Sequence, residues 1–162
     1  MSVRPAAEQD LEAIVELRLE NGRWHARLDP LRHRVPEHGA VRAYFRDVLG
    51  GLVPEVHVLV AEMGGQVTGM CELVISQPHA DHQIGSERRT AQVHTVIHAE
   101  HRGAGAGRAL VASAQELAEQ LAIDELVAPV LLANRRAFEF YADQGFASYG
   151  QLLAKQLNSD ER

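Results

Sequence analysis

The chain has 162 residues, 46% of them hydrophobic and 23% charged, with 22 acidic against 16 basic side chains and a formal net charge of -6. That length supports a single domain, residues 1-162, with a real core, and the composition is that of an ordinary globular protein rather than a disordered one. The acidic balance excludes a nucleic-acid binder that relies on a broad basic surface, and it tolerates a cationic acceptor such as an amine. One cysteine, Cys71, rules out an internal disulfide framework, and no Cys/His spacing resembles a zinc site; His79 and His82 sit in a polar turn with Pro78 and Asp81, so no metal is expected. Met1 to Asp10 contains no apolar signal core, and the longest apolar run, Leu126 to Ala133, is too short for a bilayer. The chain therefore reads as cytoplasmic, without a membrane partner.

Val3 and Arg4 read as a first short strand. Ala7 to Leu19 then carries Leu11, Ile14, Val15 and Leu19 at helical spacing. Asn21 to Gly39 is interrupted by Pro30 and Pro36, which predicts a long loop before a second helix over Ala40 to Leu49. Val56 to Glu62 and Val67 to Ile75 are β-branched runs separated by Met63-Gly64-Gly65-Gln66, a hairpin signal. A polar loop, Gln77 to Ser86, precedes a long strand over Arg89 to His98. Next come the glycine-rich segment Arg102 to Gly107 and a helix over Gly105 to Leu121, whose Leu110, Ala114, Leu117 and Leu121 form one stripe for packing on a sheet. Leu126 to Leu132 reads as a strand that contains Pro129, Asn134 opens a short helix, and Tyr149 to Leu157 reads as a closing strand with an exposed edge.

The glycine segment bears the chemistry. Alternating glycines expose backbone N–H groups, and the following helix points its positive dipole end at the same place, which makes an anion cradle. A P-loop would need Gly-Lys-Ser/Thr after four residues, and a dinucleotide fingerprint a third glycine three after the second; both spacings land on Arg108. The pattern that fits is Arg102-x-x-Gly105-x-Gly107, which resembles the acetyl-CoA pyrophosphate loop of the GNAT superfamily of N-acetyltransferases. Thirty residues on, Asn134-Arg-Arg-Ala-Phe-Glu-Phe-Tyr141-Ala-Asp-Gln-Gly145-Phe146 is similar to that family's Asn-x-x-Ala-x-x-x-Tyr-x-x-x-Gly-Phe segment at every defined position. The element order βααβββαβαβ is also the GNAT order, over essentially the whole chain.

The resemblance implies an α/β (α+β) GNAT fold: a central mixed, mostly antiparallel sheet with a splayed parallel pair, flanked by helices. Pro129 would cost little in a splayed strand, a plain bulge being the alternative. It further implies transfer of an acetyl group from acetyl-CoA to a primary amine, of a small molecule, by direct attack in a ternary complex. Arg102, Gly103, Ala104, Gly105, Ala106, Gly107 and Arg108 would hold the pyrophosphate. Backbone groups of Thr95, Val96 and Ile97 would meet the pantetheine and thioester, Asn134 would touch the pantetheine arm, and Tyr141 would be the general acid. A phenol near pKa 10 is protonated at neutral pH and close to a thiol in acidity.

The base is less defined. Glu72 and His94 are candidates, with His98 and Glu100 nearby, and strand parity sends His94 and His98 to one face and Thr95 and Ile97 to the other. Some relatives place a base earlier on this strand, where this chain has Ala91 and Val93, so a water chain is the alternative. Cys71, inside an apolar strand, reads as a small buried thiol rather than an acetyl carrier. The acceptor site falls to Asn21 to Arg46 and to Gln77 to Ser86: Trp24 and His25 could stack on or hydrogen-bond a substrate, and Asp29, Glu37 and Glu72 could attract a cation. A protein lysine or N-terminal acceptor, or a non-catalytic acetyl-CoA sensor, are the competing readings; a homodimer through the closing strand is common for this resemblance.

Overall fold

The computed structural model describes residues 1–77, 79–80, 82, 84–85 and 87–155. In chain order the elements are β1 (Ser2–Pro5), α1 (Leu11–Leu28), α2 (His38–Leu49), β2 (Val56–Met63), β3 (Gln66–Ile75), β4 (Thr90–Ile97), α3 (Ala106–Gln120), β5 (Glu125–Val127) and α4 (Arg135–Ala142). The sheet order is β1-β2-β3-β4-β5. Every neighbouring pair is antiparallel except β4 and β5, which run parallel. No helix among the described residues is long and apolar enough to cross a membrane.

The central strands are apolar on both faces because helices cover both. On one face Val58, Val60, Met70 and Val96 meet Ile14, Val15 and Leu17 of α1 and Val41 and Phe45 of α2. On the other, Leu59, Ala61, Cys71, Leu73, Ala91 and Val93 meet Leu110, Val111, Ala114 and Ala118 of α3 and Tyr141 of α4. The β3–β4 register runs from Gly69 opposite Ile97 to Ile75 opposite Ala91 without interruption, so the two-residue alternation predicted for β4 holds along its length. The irregularity in the sheet lies instead in β2, between Ala61 and Glu62.

Three elements differ from the sequence-based expectation. Helix α1 continues through Asn21 and Gly22 to Leu28 and stops at Asp29–Pro30, so Trp24 and His25 are helical and not part of a loop. Gly22 reads as a helix breaker by propensity, yet it is a packing residue: a Cβ there would lie 2.7 Å from the Pro36 ring. Strand β5 is only three residues long, ending at Val127 two positions before Pro129, where Leu126 to Leu132 was expected. The residue before a proline and the proline itself both resist continued pairing. No closing strand forms among the described residues: 149–155 are exposed and irregular, and 156–157 of the expected Tyr149 to Leu157 strand lie outside them. Positions 78, 81, 83 and 86 of the polar loop also lie outside them, including Pro78 and Asp81 of the expected turn.

Gly69 lets α3 approach the sheet, since a side chain there would strike Ile97 and lie 2.9 Å from the Val96 carbonyl oxygen. Gly69→Ala is expected to cost about 1–3 kcal/mol through overpacking. A urea titration with a lower midpoint and an unchanged slope would record it.

Candidate active site

Strand β5 pairs with β4 only at Thr90, Ala91 and Gln92, through Glu125, Leu126 and Val127. Beyond Gln92 no strand pairs with β4 on that edge, and backbone donors there need another partner. One comes from α4. The Asn134 side chain caps that helix by accepting the Ala137 N–H at 3.3 Å, and Gly145, at φ +87°, ends the following turn so that the Phe146 N–H returns to the Tyr141 carbonyl at 3.1 Å. Phe140 and Phe146 then hold the Tyr141 ring edge-on at 5.0 and 5.2 Å. Its hydroxyl accepts the Thr95 N–H at 3.2 Å and lies 3.5 Å from the Val93 carbonyl. Burial pushes the phenol above its ordinary range, against the opposing pull of the Thr95 hydrogen bond.

The glycine segment lies at the end of the same strand. Gly103 and Gly105 take positive φ of 85° and 86°, with open space beside their α-carbons, and Gly105 is the N-cap of α3. The helical ladder begins with Ala109 N–H on the Gly105 carbonyl at 3.1 Å, so the amides of Ala106, Gly107 and Arg108 emerge at the helix end. An anion there would meet several N–H groups and the helix dipole. Gly107 has a different reason: a Cβ would press on the Phe140 ring at 3.1 Å, so this glycine brings α3 against α4.

Arg102 does not aim its charge at the loop. Its Nε donates to the Ile97 carbonyl at 3.1 Å and an Nη to Glu20 of α1 at 3.3 Å. Glu20 also accepts the Ala99 N–H at 3.2 Å and lies 2.8 Å from His98 Nδ1. Glu20 thus clamps the loop's entry to α1. Sequence reasoning missed it, because a polar helix residue 78 positions from His98 gives no local signal.

The other face of β3 and β4 carries Glu72 and His94, which stand opposite each other in register. Glu72 is buried with both oxygens engaged: Oε2 receives Arg18 of α1 and Oε1 receives the Tyr44 hydroxyl of α2 at 2.8 Å. Arg18 in turn lies over the Phe45 ring at 5.3 Å. His94 has no hydrogen-bond partner among the described residues, and burial, with help from Arg18 and against Glu72, holds it below the usual imidazole range. His25 is likewise held low, first by burial and then by His33, whose ring centroid is 5.3 Å away. Trp24 is 39% exposed. Cys71 is fully buried opposite Thr95, and burial pushes its thiol up to about 11, so it holds its proton at neutral pH. No three His, Cys, Asp or Glu side chains converge as metal ligands among the described residues.

A splayed parallel pair, a glycine-lined helix N-terminus and a tyrosine set into the gap occur here in one fold, and known proteins share that fold. The model of the acetyltransferase (GNAT) family matches residues 17–146, and the chain belongs to that family. No curated protein matches the sequence. Among solved structures, a point mutant of the BH1408 protein from Bacillus halodurans superposes with a TM-score of 0.86 at 20% identity, over 98% of this chain and 100% of that one. The aminoglycoside 6'-N-acetyltransferase AAC(6')-IG from Acinetobacter haemolyticus superposes at 0.75 with 18% identity, over 99% and 100%. Aminoglycoside N-acetyltransferase AAC(6')-Iy in complex with CoA does so at 0.71 with 15% identity, over 96% and 93%.

Gly105→Val would force a β-branched residue into left-handed geometry at the mouth of the cradle. CoA affinity measured by calorimetry is expected to fall at least tenfold; unchanged affinity would sink the assignment of this loop to the cofactor.

Proposed function

We propose that the protein is an N-acetyltransferase that moves the acetyl group of acetyl-CoA to a primary amine of a small molecule, by direct attack in a ternary complex. The observation that carries this reading is the Tyr141 hydroxyl at the Thr95 N–H, on the stretch of β4 that β5 leaves bare. The family membership and the CoA held by AAC(6')-Iy support acetyl-CoA as donor. Two aminoglycoside acetyltransferases among the similar folds support a small-molecule amine.

Acetyl-CoA, when bound, supplies the thioester. The loop Arg102 to Gly107, with Ala106, Gly107 and Arg108 at the helix end, presents the N–H groups that hold a pyrophosphate. Backbone groups of Thr95, Val96 and Ile97 offer partners to pantetheine amides, and the Asn134 amide retains its two N–H donors because the cap uses Oδ1. The Thr95 N–H, freed from Tyr141, can donate to the carbonyl oxygen as it gains negative charge. Tyr141 keeps its proton at neutral pH and can give it to the departing sulfur.

On the acceptor side, His94 is neutral and can take the proton that the amine must lose. The C–N bond forms as the C–S bond breaks; the sulfur leaves with the Tyr141 proton, His94 holds the amine proton, and solvent restores both groups. Glu72 has neither oxygen free, so we assign it to holding Arg18 and Tyr44 in place.

Tyr141→Phe is expected to lower kcat by about 10²-fold or more while the acetyl-CoA Kd stays within about twofold. Wild-type turnover in that variant would remove Tyr141 from the catalytic machinery. His94 is held low, so the charged form that cannot act as base appears only below the ordinary value of 6.5. The pH profile of kcat/KM should therefore show an acid limb with its midpoint under 6.5, and His94→Gln should remove that limb.

A further inference from the structure

A cavity of about 420 Å³ opens between α1, α2 and β3, on the face that carries Glu72 and His94. Its walls are mostly apolar, with Pro36, Val41 and Phe45 on the helical side, and its polar end is the Arg18–Glu72–Tyr44 cluster. Glu72 at the cavity's polar end stands directly opposite His94 in the β3–β4 register, and His94 precedes Thr95, so that end lies one strand away from the stretch of β4 beyond β5, on the face opposite Tyr141.

The charge state of this cavity decides what it can hold. Glu72 is the carboxylate at its polar end, and Arg18 already neutralises it. The Arg18 side chain is partly exposed and lines the space, so a positive group brought into the cavity meets a cation first. Asp29, which could draw a cation toward this region, is itself paired with Arg32 at 3.0 Å. Two of the three acidic side chains that could draw a cation here, Glu72 and Asp29, are thus paired with arginines, and the third, Glu37, is exposed at the start of α2 and does not line the cavity. We infer that this cavity takes the apolar body of a monoamine, with its one nitrogen directed toward His94, and that it turns away amines carrying a second positive charge. This rests on the acetyl-transfer reading above, and it separates the chain's acceptor class from the polycationic aminoglycosides named for the two similar folds.

A matched pair tests it: hexylamine against 1,6-diaminohexane, with kanamycin as the polycation, assayed by thiol release from acetyl-CoA and by calorimetric binding in the presence of CoA. Hexylamine is expected to exceed both others at least tenfold in kcat/KM and in affinity. Arg18→Met should narrow the hexylamine–diamine ratio and Arg18→Lys, which keeps the charge beside Glu72, should preserve it. Ala40→Phe, on an exposed wall of the cavity, should raise the hexylamine KM without changing the CoA Kd. Preference for diamine or kanamycin, equal affinity for the pair, or an unchanged hexylamine KM in Ala40→Phe would overturn the inference. Absence of turnover on every amine with tight CoA binding would count against acetyl transfer instead, and the binding ratio would still decide the cavity's preference.

Discussion

The short pairing of β5 with β4 is the constraint on which the rest of the molecule turns. A parallel strand that continued to Leu132 would satisfy the edge of β4 and close the sheet. Pairing stops at Val127, and Pro129 follows. The N–H of Thr95, partly buried, then lies at an edge without a strand beside it, and such a donor is costly to leave unpaired. The Tyr141 hydroxyl answers that need at 3.2 Å, and a ligand inserted between the strands could answer it equally well. A tyrosine there plugs the edge and, on the proposed mechanism, is also the acid, so exchanging Tyr141 for a ligand would leave the Thr95 N–H paired.

The uninterrupted β3–β4 register divides the work between faces. Thr95, Cys71 and Tyr141 share the α3 and α4 side; Glu72 and His94 share the α1 and α2 side. Two reactants that approach a thioester from opposite faces of one strand need no room for each other, which suits direct attack. Cys71 is placed on the donor side, yet its thiol is fully buried and held protonated, a poor nucleophile without a base beside it.

How far the sequence could be read follows from the range of each interaction. The β-branched runs of β2 and β3, the side-chain parity of β4, the cap at Asn134 and the αL glycines 105 and 145 are local signals, and each has the expected geometry. Helix α1 was read too short because Pro30 and Pro36 interrupt the stretch from Asn21 to Gly39, whereas the helix runs on to Leu28, and Gly22 within it makes room for Pro36, fourteen residues away. Strand β5, Glu125–Val127, was read too long, as Leu126 to Leu132, because an apolar run looks the same whether it pairs or leaves the sheet. Glu20 and Arg18 were invisible for a simpler reason: their partners, His98 and Glu72, are joined to them by the fold alone.

Buried charge gives the last step. Glu72 sits beneath two helices, where an isolated carboxylate would be severely penalised, and so Arg18 and Tyr44 must be held against it. Those partners come from α1 and α2, so the cluster fixes both helices on the sheet and sets the floor of the cavity between them. It also removes the negative charge that would otherwise face an incoming amine. Fold and acceptor preference are thus linked through one ion pair: a chain that dispensed with Arg18 to attract polycations would have to expose Glu72 or lose the anchoring of both helices. Glu20, two residues further along α1, repeats the logic: its carboxylate meets His98, Ala99 and Arg102 and holds the loop entry. Helix α1 therefore touches both the entry of the glycine loop and the cavity beside Glu72, and on the proposed reading a shift along its axis would be felt on the donor and acceptor sides alike.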